Sequence, residues 1–292
     1  AQVYVDSSGE SLFKRGWRAD TGDAPLKETL AAAMLAAAGW RGTPGAGGAL
    51  HDPCCGSGTI AIEAAQIACG IAPGALRRFA CERLLPFAGA EMRAEMQRLR
   101  SHAKERVRAP EVPIFASDLS FRMVDFARRN AERAGVAHAI QFNGGDALER
   151  PAPQLPAELP GTLMLNPPYG ERIEVGGKAR SGAPTLASLP APRGGGAALG
   201  AARRAPRLAA RDSAEDRSTP SDFFARLATH WKQAYTGHPA GWTAWILSPD
   251  MRLPSAMRLK ESRRVPLWNG PIECRLFRFD LVAGSARKTV SS

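Results

Sequence analysis

The 292-residue chain has no C-x-x-C pair, and its five cysteines (Cys54, Cys55, Cys69, Cys81 and Cys274) are odd in number and unevenly spaced. Its five histidines form no ligand cluster beside them. That spacing argues against structural zinc and against a disulfide framework, so no metal is expected and reduced thiols point to a cytoplasmic protein. No run approaches the ~18 apolar residues of a membrane span, and the opening AQVYVDSSGESLFKRGW lacks the apolar stretch of a secretory signal. There is no Gly-Lys-Ser/Thr of a phosphate loop and no internal repeat. Between Gly176 and Arg211 there is no acidic residue at all.

What the chain does have is base. A net charge of +11 and a pI near 10 point to a polyanionic partner, nucleic acid first. Part of that excess lies in Lys178, Arg180, Arg193, Arg203, Arg204, Arg207 and Arg211. These fall in a segment, 174–220, built of glycine, alanine, proline, serine and arginine without helical or strand period. It reads as a disordered insertion in a loop. With 44% apolar residues the rest is long enough for one sizeable core. The first residues read like the middle of a chain, so 1–24 is expected to be a linker following an upstream domain, with one domain over 25–292.

Along that domain, helix and strand alternate. DAPLKETLAAAMLAAAG reads as a helix, with Asp23 as cap, Pro25 in the first turn and Gly39 at the end. GALHDPCCGSGTIAIEAAQIACG reads as strand, glycine turn and helix from about Thr59. EMRAEMQRLRSHAKERVR is a polar helix. VPIFASDLS is a strand ending on Asp118, FRMVDFARRNAERAG a helix closed by Gly135, and AIQFNGGDA a strand ending near Asp146. TLMLNPPYG is the fourth strand. SDFFARLATHWKQAY is a helix capped by Ser221 or Asp222, WTAWIL a strand with Trp242 and Trp245 in the core, and VPLWNGPIECRLFRFD two strands joined at Asn269-Gly270-Pro271. The expected fold is α/β: a Rossmann-like, mostly parallel sheet covered by helices on both faces and closed by an antiparallel C-terminal hairpin.

Chemistry gathers at the strand ends. In HDPCCGSGT an acid precedes a G-x-G that opens a helix, where glycines let backbone approach a ligand and the helix start offers free N–H groups. A G-x-G alone would also suit a bare strand-to-helix turn. Asp118, ending the next strand, can accept hydrogen bonds from both hydroxyls of a ribose, and Asp146 after the third can meet an adenine amino group. Any one of these acids would also serve as a helix cap; together along one sheet edge they describe an adenosyl ligand held without phosphate-binding machinery. In LNPPYGER, the Asn166 side-chain carbonyl and the Pro167 backbone carbonyl can grip the two hydrogens of an exocyclic –NH₂. Tyr169 offers a face for stacking on a base. Two acceptors on such an amine favour the pyramidal form that frees its lone pair.

HDPCCGSGT with SDLS, GDA and LNPPYGER resembles the class I S-adenosylmethionine-dependent methyltransferases that modify exocyclic amines. With SLFKRGWR, APLKETLAAAML and PLWNGPIECRLF added, the chain outside 174–220 is similar to the bacterial 23S rRNA guanine-N2 methyltransferases of the RlmL type. The resemblance implies a seven-stranded class I methyltransferase fold using S-adenosyl-L-methionine, acting on 23S rRNA or a large-subunit assembly intermediate. It implies Asp52, Cys54, Gly56, Ser57, Gly58 and Thr59 around the methionine part of the cofactor. Asp118 and Leu119 fall at the ribose, Asp146 and Ala147 near the adenine, and Asn166, Pro167, Pro168 and Tyr169 at the transferred methyl and target base, with Asn166 also touching the cofactor. Members of that family usually carry an N-terminal THUMP domain, which this sequence is expected to lack.

The expected reaction is direct, in-line transfer of the methyl to guanine N2, without a covalent enzyme intermediate. Cys54 and Cys55 lie in a cofactor loop, the wrong place for an activated nucleophile. Two other functions fit parts of the pattern: an adenine-N6 nucleic-acid methyltransferase, which shares N-P-P-Y, and a non-catalytic RNA-binding module that keeps the fold. Arg15 and Arg18 read equally as RNA phosphate contacts or solvated linker charges. Lys260, Arg263 and Arg264, with Trp268 nearby, favour an RNA-facing edge.

Overall fold

The computed structural model describes residues 1–22, 25–85, 88–167 and 220–283. Seven strands, β1 (Ala49–Asp52), β2 (Ile114–Asp118), β3 (Ile140–Gly144), β4 (Gly161–Leu165), β5 (Trp242–Ser248), β6 (Arg263–Asn269) and β7 (Ile272–Leu281), form one sheet. Its order is β3-β2-β1-β4-β5-β7-β6. The pairs β2–β3, β1–β2, β1–β4 and β4–β5 are parallel, while β7 runs antiparallel to both β5 and β6. β6 therefore shares the direction of the first five strands, and β7 alone is reversed. The expected mostly parallel sheet with a C-terminal hairpin is the sheet observed.

Six α-helices are described: α1 (Glu28–Ala38), α2 (Thr59–Ala68), α3 (Ala90–Glu105), α4 (Phe121–Arg133), α5 (Pro220–Ala234) and α6 (Leu253–Met257). Period-two alternation on the central strands divides the core into two layers. On β4, Leu163 and Leu165 face α5 and α6 while Met164 faces the layer of α1, α2 and α4. On β5, Trp242, Ala244 and Ile246 take the first side and Trp245 and Leu247 the second. Both tryptophans are core residues, as their apolar neighbours predict. β1 and β4 are buried along their whole length; Leu163, Met164 and Leu165 of β4 form an unbroken apolar run, while β1 ends on the buried polar pair His51 and Asp52.

Helix ends depart from the simple reading. α1 starts at Glu28 behind Lys27, with no side-chain cap; Pro25 precedes the helix and Asp23 lies outside the described residues. At its other end Gly39 adopts φ 72 and donates back to Ala36 and Leu35, as expected of a terminal glycine. α5 begins at Pro220, which places Ser221 and Asp222 inside its first turn and not at the cap. Proline's fixed φ and missing N–H suit that first position. The β6–β7 turn is two residues long, with Gly270 at φ 64. The range 174–219 lies outside the described residues.

The segment before α1 is part of the packed domain. Trp17 has no exposed surface. Arg15 donates to both carboxylate oxygens of Glu63 on α2, from Nε at 3.1 Å and Nη2 at 3.2 Å. Asn130 of α4 accepts from the Ala19 and Asp20 N–H groups and donates to the Asp20 and Ser57 carbonyls. The expected linker 1–24 is thus a strap, packed across α2 and α4 from Arg15 onward and tied further upstream where the Ser7 carbonyl accepts the Cys81 N–H at 3.0 Å.

Centrally in the sheet, His51 of β1 is buried, with Nδ1 3.0 Å from the Tyr235 hydroxyl and Nε2 3.3 Å from Ser117 Oγ. Burial, then the charges of Arg150 and His230, lower its pKa to about 3. Between its ordinary value near 6.5 and that value, the unfolded chain binds a proton that the folded chain refuses, so His51 destabilises the fold progressively as pH falls through this window. His51→Gln removes that dependence. In urea unfolding at about pH 7.5 and about pH 5.5, the stability of the native chain relative to the variant should drop towards the acid side, by at most ~1.4 kcal/mol per pH unit. Parallel pH curves for the two proteins would contradict this account.

Candidate functional site

The carboxyl ends of β1, β2 and β4 open onto one cavity of about 590 Å³, within the range of small-molecule sites. Its lining includes Asp52, Cys54, Cys55, Gly56, Ser57, Thr59, Asp118, Asn166 and Pro167. It stands where an open α/β sheet reverses its strand order, β2-β1-β4, the usual place for a ligand crevice. The strand-end residues expected to cooperate are therefore brought together, apart from four. Gly58, Leu119, Asp146 and Ala147 are not in the lining. Asp146 Oδ1 accepts the Leu148 N–H at 2.8 Å, and Ala147 is buried. Pro168 and Tyr169 lie outside the described residues.

The glycine turn is held from two sides. From the sheet, Asp118 Oδ2 accepts the Gly56 N–H and Oδ1 accepts the Ser120 N–H, both at 2.9 Å. The Cys55 N–H donates to the Ser117 carbonyl at 2.9 Å. From the strap, Arg18 reaches across with all of its guanidinium nitrogens. Nη1 donates to Ser57 Oγ at 2.9 Å, Nη2 to Thr59 Oγ1 at 2.7 Å and to the Leu26 carbonyl at 3.1 Å, and Nε to Glu28 Oε1 at 2.7 Å. Arg15 and Arg18, one alternative for which was RNA contact, are corrected here. Both are inward-facing structural cations, because each finds a buried carboxylate (Glu63, Glu28) that no short-range pattern reveals.

The two glycines of the turn do different work. Gly58, at φ 88, caps α2, and a Cβ there would stand 2.8 Å from Ala127 Cβ and 3.1 Å from Ala127 Cα. It is what lets the turn pack on α4. Gly56, at φ 51, would place a Cβ with nothing within 4 Å, in the open space of the cavity it lines. A cradle that a Cβ would fill, beside exposed backbone at a helix start, fits a ligand held by main-chain contact.

The electrostatics favour a cation. Asp52 is almost fully buried, and its one observed hydrogen bond comes from the Cys54 N–H at 3.2 Å. Burial pushes its pKa well above the ordinary carboxylate range, the Cys54 N–H works against this, and the Asp118 charge adds to it. Burial likewise raises Asp118, opposed by the Ser120 and Gly56 N–H groups. The Cys54 thiol is pushed up by burial and then by the charges of Asp52, Asp118 and Asp146, and the Cys55 thiol by burial, Asp52 and Asp118. Neither is suited to form a thiolate, in keeping with their rejection as nucleophiles.

Some lining residues had no short-range signal: Gly22 and Leu26 from the strap, Met123 from α4, and Asn269 and Ile272 from the β6–β7 turn. The segments that contain several of them, A-P-L-K-E-T and N-G-P-I-E-C, stood out in the sequence without showing what they do. Lys260, Arg263 and Arg264 are exposed and outside the lining; Arg264 pairs with Glu261 and lies over the Phe277 ring. Among the described residues, no group of three or more His, Cys, Asp or Glu side chains is arranged to hold a metal ion, and no helix is long and apolar enough to cross a membrane.

A family model described as "RMKL-like, methyltransferase domain" matches residues 15–185, more than half of the chain. The chain belongs to that family. The match begins at Arg15, the strap residue that pairs with Glu63. Among curated relatives, the ribosomal RNA large subunit methyltransferase K/L of Shewanella baltica is 35% identical over 98% of this chain and 33% of its own length. The protein of the same name from Psychromonas ingrahamii is 34% identical over 94% of this chain and 30% of its own. The chain thus spans about a third of the length of these relatives. Among solved structures, a putative methyltransferase complexed with SAH shares 26% identity at TM-score 0.67, covering 97% of this chain and 58% of that one. A predicted N6-adenine-specific DNA methylase from Listeria monocytogenes shares 25% at TM-score 0.66, covering 94% and 56%.

The turn geometry separates stability from ligand binding. Gly58→Ala combines left-handed strain with overpacking against the α4 backbone and should lower stability by about 3 kcal/mol. Gly56→Ala carries only the strain, about 1 kcal/mol, yet should abolish calorimetric binding of S-adenosyl-L-methionine. Urea midpoints and titrations on both variants check the pair; equal stability losses, or full binding by Gly56→Ala, would count against it.

Proposed function

We propose that this methyltransferase domain uses S-adenosyl-L-methionine to methylate the exocyclic N2 amine of a guanine in 23S rRNA. The observation that carries the reading is that Asn166 and Pro167, at the end of β4, line the same cavity as Asp52, Gly56 and Asp118. Amine-gripping acceptors and a cationic-ligand pocket therefore share one space. The name of the K/L relatives and the SAH complex of the structural relative support substrate class and cofactor respectively.

When bound, S-adenosyl-L-methionine supplies a methyl group on a positively charged sulfur. The chain's residues supply position and field. Gly56 leaves room for the ligand against the backbone, and Asp118, fixed by two N–H donors, turns its remaining lone pairs to ribose hydroxyls. Asp52, whose ionised form burial disfavours, gains a counter-charge when the cation sits beside it. The Asn166 side-chain carbonyl and the Pro167 backbone carbonyl accept from the amine, holding its lone pair towards the methyl group. Asp146 and Ala147 attend the adenine, and the resemblance carried by LNPPYGER assigns Pro168 and Tyr169 to the target base. The substrate is 23S rRNA as such or within an assembling large subunit.

A second reading, adenine-N6 methylation, is favoured by the Listeria relative's description and by N-P-P-Y itself, which fits any planar –NH₂. Nucleoside mass spectrometry decides between them. With labelled cofactor and rRNA from a strain lacking the protein, labelled methylguanosine is expected; labelled methyladenine, or labelling of DNA alone, overturns the guanine reading. Asn166→Ala should remove transfer while leaving calorimetric cofactor binding within about twofold, and loss of both or of neither would count against its role.

The raised acids add a pH signature. A cation binding beside Asp52 and Asp118 favours their ionised forms, so association releases protons that these acids hold at low pH. Cofactor affinity should fall as pH drops through their raised range, above the ordinary aspartate value near 4. Titrations in buffers of different ionisation enthalpy measure the proton release, and Asp118→Asn should reduce it. Affinity independent of pH below neutrality would contradict the assignment.

A further inference from the structure

A second cavity, of about 760 Å³, opens outside the methyl-transfer site between the strap, the 3₁₀ turn at Ala80–Arg83 and α3. Six cations line it, Lys14, Arg77, Arg78, Arg83, Arg93 and Arg100, against two acids, Glu10 and Glu82. Lys14 pairs with Glu10, and Arg100 with Glu82 at 2.7 Å. Arg77, Arg78, Arg83 and Arg93 have no carboxylate within ion-pair distance among the described residues.

These four divide by role. Arg77 is committed to the wall: its guanidinium donates to the Ser8, Glu10 and Ser11 carbonyls and lies over the Phe79 ring. It pins the strap's first residues to the far side of the groove. Arg78, Arg83 and Arg93 are exposed, and Arg93 also donates to the Ala88 carbonyl. Apolar side chains, Leu76, Phe79, Met92 and Met96, also line the groove. α3 buries no residue fully, so its face towards this groove has no helix or sheet covering it. A rim of guanidinium groups without carboxylate partners among the described residues, beside apolar side chains, matches a nucleic-acid strand, with charged phosphates along its edge and bases between.

We propose that this groove binds the phosphate backbone of RNA, presenting the substrate to the methyl-transfer cavity. The proposal rests on the reading of the chain as an RNA methyltransferase. It relocates RNA contact from Arg15 and Arg18 to their surroundings. Lys14 and Gly16 line the groove, while Arg18, two residues on, holds Ser57 and Thr59 of the glycine turn. One short length of chain thus forms the wall of one site and the brace of the other.

The test is the triple variant Arg78→Ala, Arg83→Ala, Arg93→Ala in the full chain, none of which touches the methyl-transfer cavity. Its thermal midpoint and its calorimetric binding of S-adenosyl-L-methionine should match the parent. Binding of a fluorescein-labelled, mixed-sequence single-stranded RNA, followed by anisotropy over a salt series, should weaken at least ~10-fold near 0.1 M salt. The slope of log K against log salt should shrink by about 2, three phosphate contacts at roughly 0.7 each. Unchanged affinity and slope overturn the groove while leaving the methyl-transfer reading intact. If the parent binds the RNA, the variant loses it, and mass spectrometry finds no methylated nucleoside, the groove stands and the methyl-transfer reading falls. A parent that does not bind the RNA overturns the groove, with mass spectrometry still deciding the methyl-transfer reading, and displacement of the RNA by polyglutamate at equal charge concentration would show a general polyanion surface and overturn the assignment to RNA.

Discussion

The Arg18 guanidinium is the interaction on which the site depends. It is largely withdrawn from water and ties four separate pieces together: Glu28 at the start of α1, the Leu26 carbonyl before it, Ser57 in the glycine turn and Thr59 at the first position of α2. Removing such a charge from water costs several kcal/mol, and recovery of that cost requires good geometry and filled donors. Here one carboxylate and three neutral acceptors meet it. A planar fork with fixed donor directions suits this task in a way that a lysine ammonium does not. The turn is therefore shaped before any ligand arrives, with Asp118 holding its other side through the Gly56 N–H.

A second constraint is the concentration of negative charge at the sheet edge. Asp52, Asp118 and Asp146 all act on Cys54, and burial strengthens the field they make. The same field that disfavours a thiolate makes a cationic ligand welcome, so the chemistry of the two cysteines and that of the cavity have one cause. Mutual repulsion between Asp52 and Asp118 is tolerated because backbone N–H groups bond to each carboxylate.

Much of this was legible in the sequence because it is local. β4 centres on a short apolar run, Thr59 opens α2 after two glycines, Gly39 and Gly135 follow their helices, and the acids stand at strand ends, all of which follow from nearest-neighbour rules. What was hidden is long-range. Arg15 meets Glu63 48 residues away, and nothing around an isolated arginine marks it as buried. Ser221 and Asp222 looked like caps, yet Pro220 takes the first helical position ahead of them. α6, with five residues, is too short to show a period. Asn269 and Ile272 reach the cavity because β6 and β7 close the sheet in the order 5-7-6, which no local pattern specifies.

The strap also decides where this domain can be joined to another. A seam at residues 24 and 25, natural by composition, would strip Arg15, Trp17 and Arg18 from the fold and strand the Glu63 and Glu28 carboxylates in the interior without their counter-charges. Upstream of Glu10 the chain is largely exposed, and a junction there cuts no buried ion pair. A junction compatible with this fold is thereby confined to a narrow stretch of chain, and the packed unit begins well before its first regular helix.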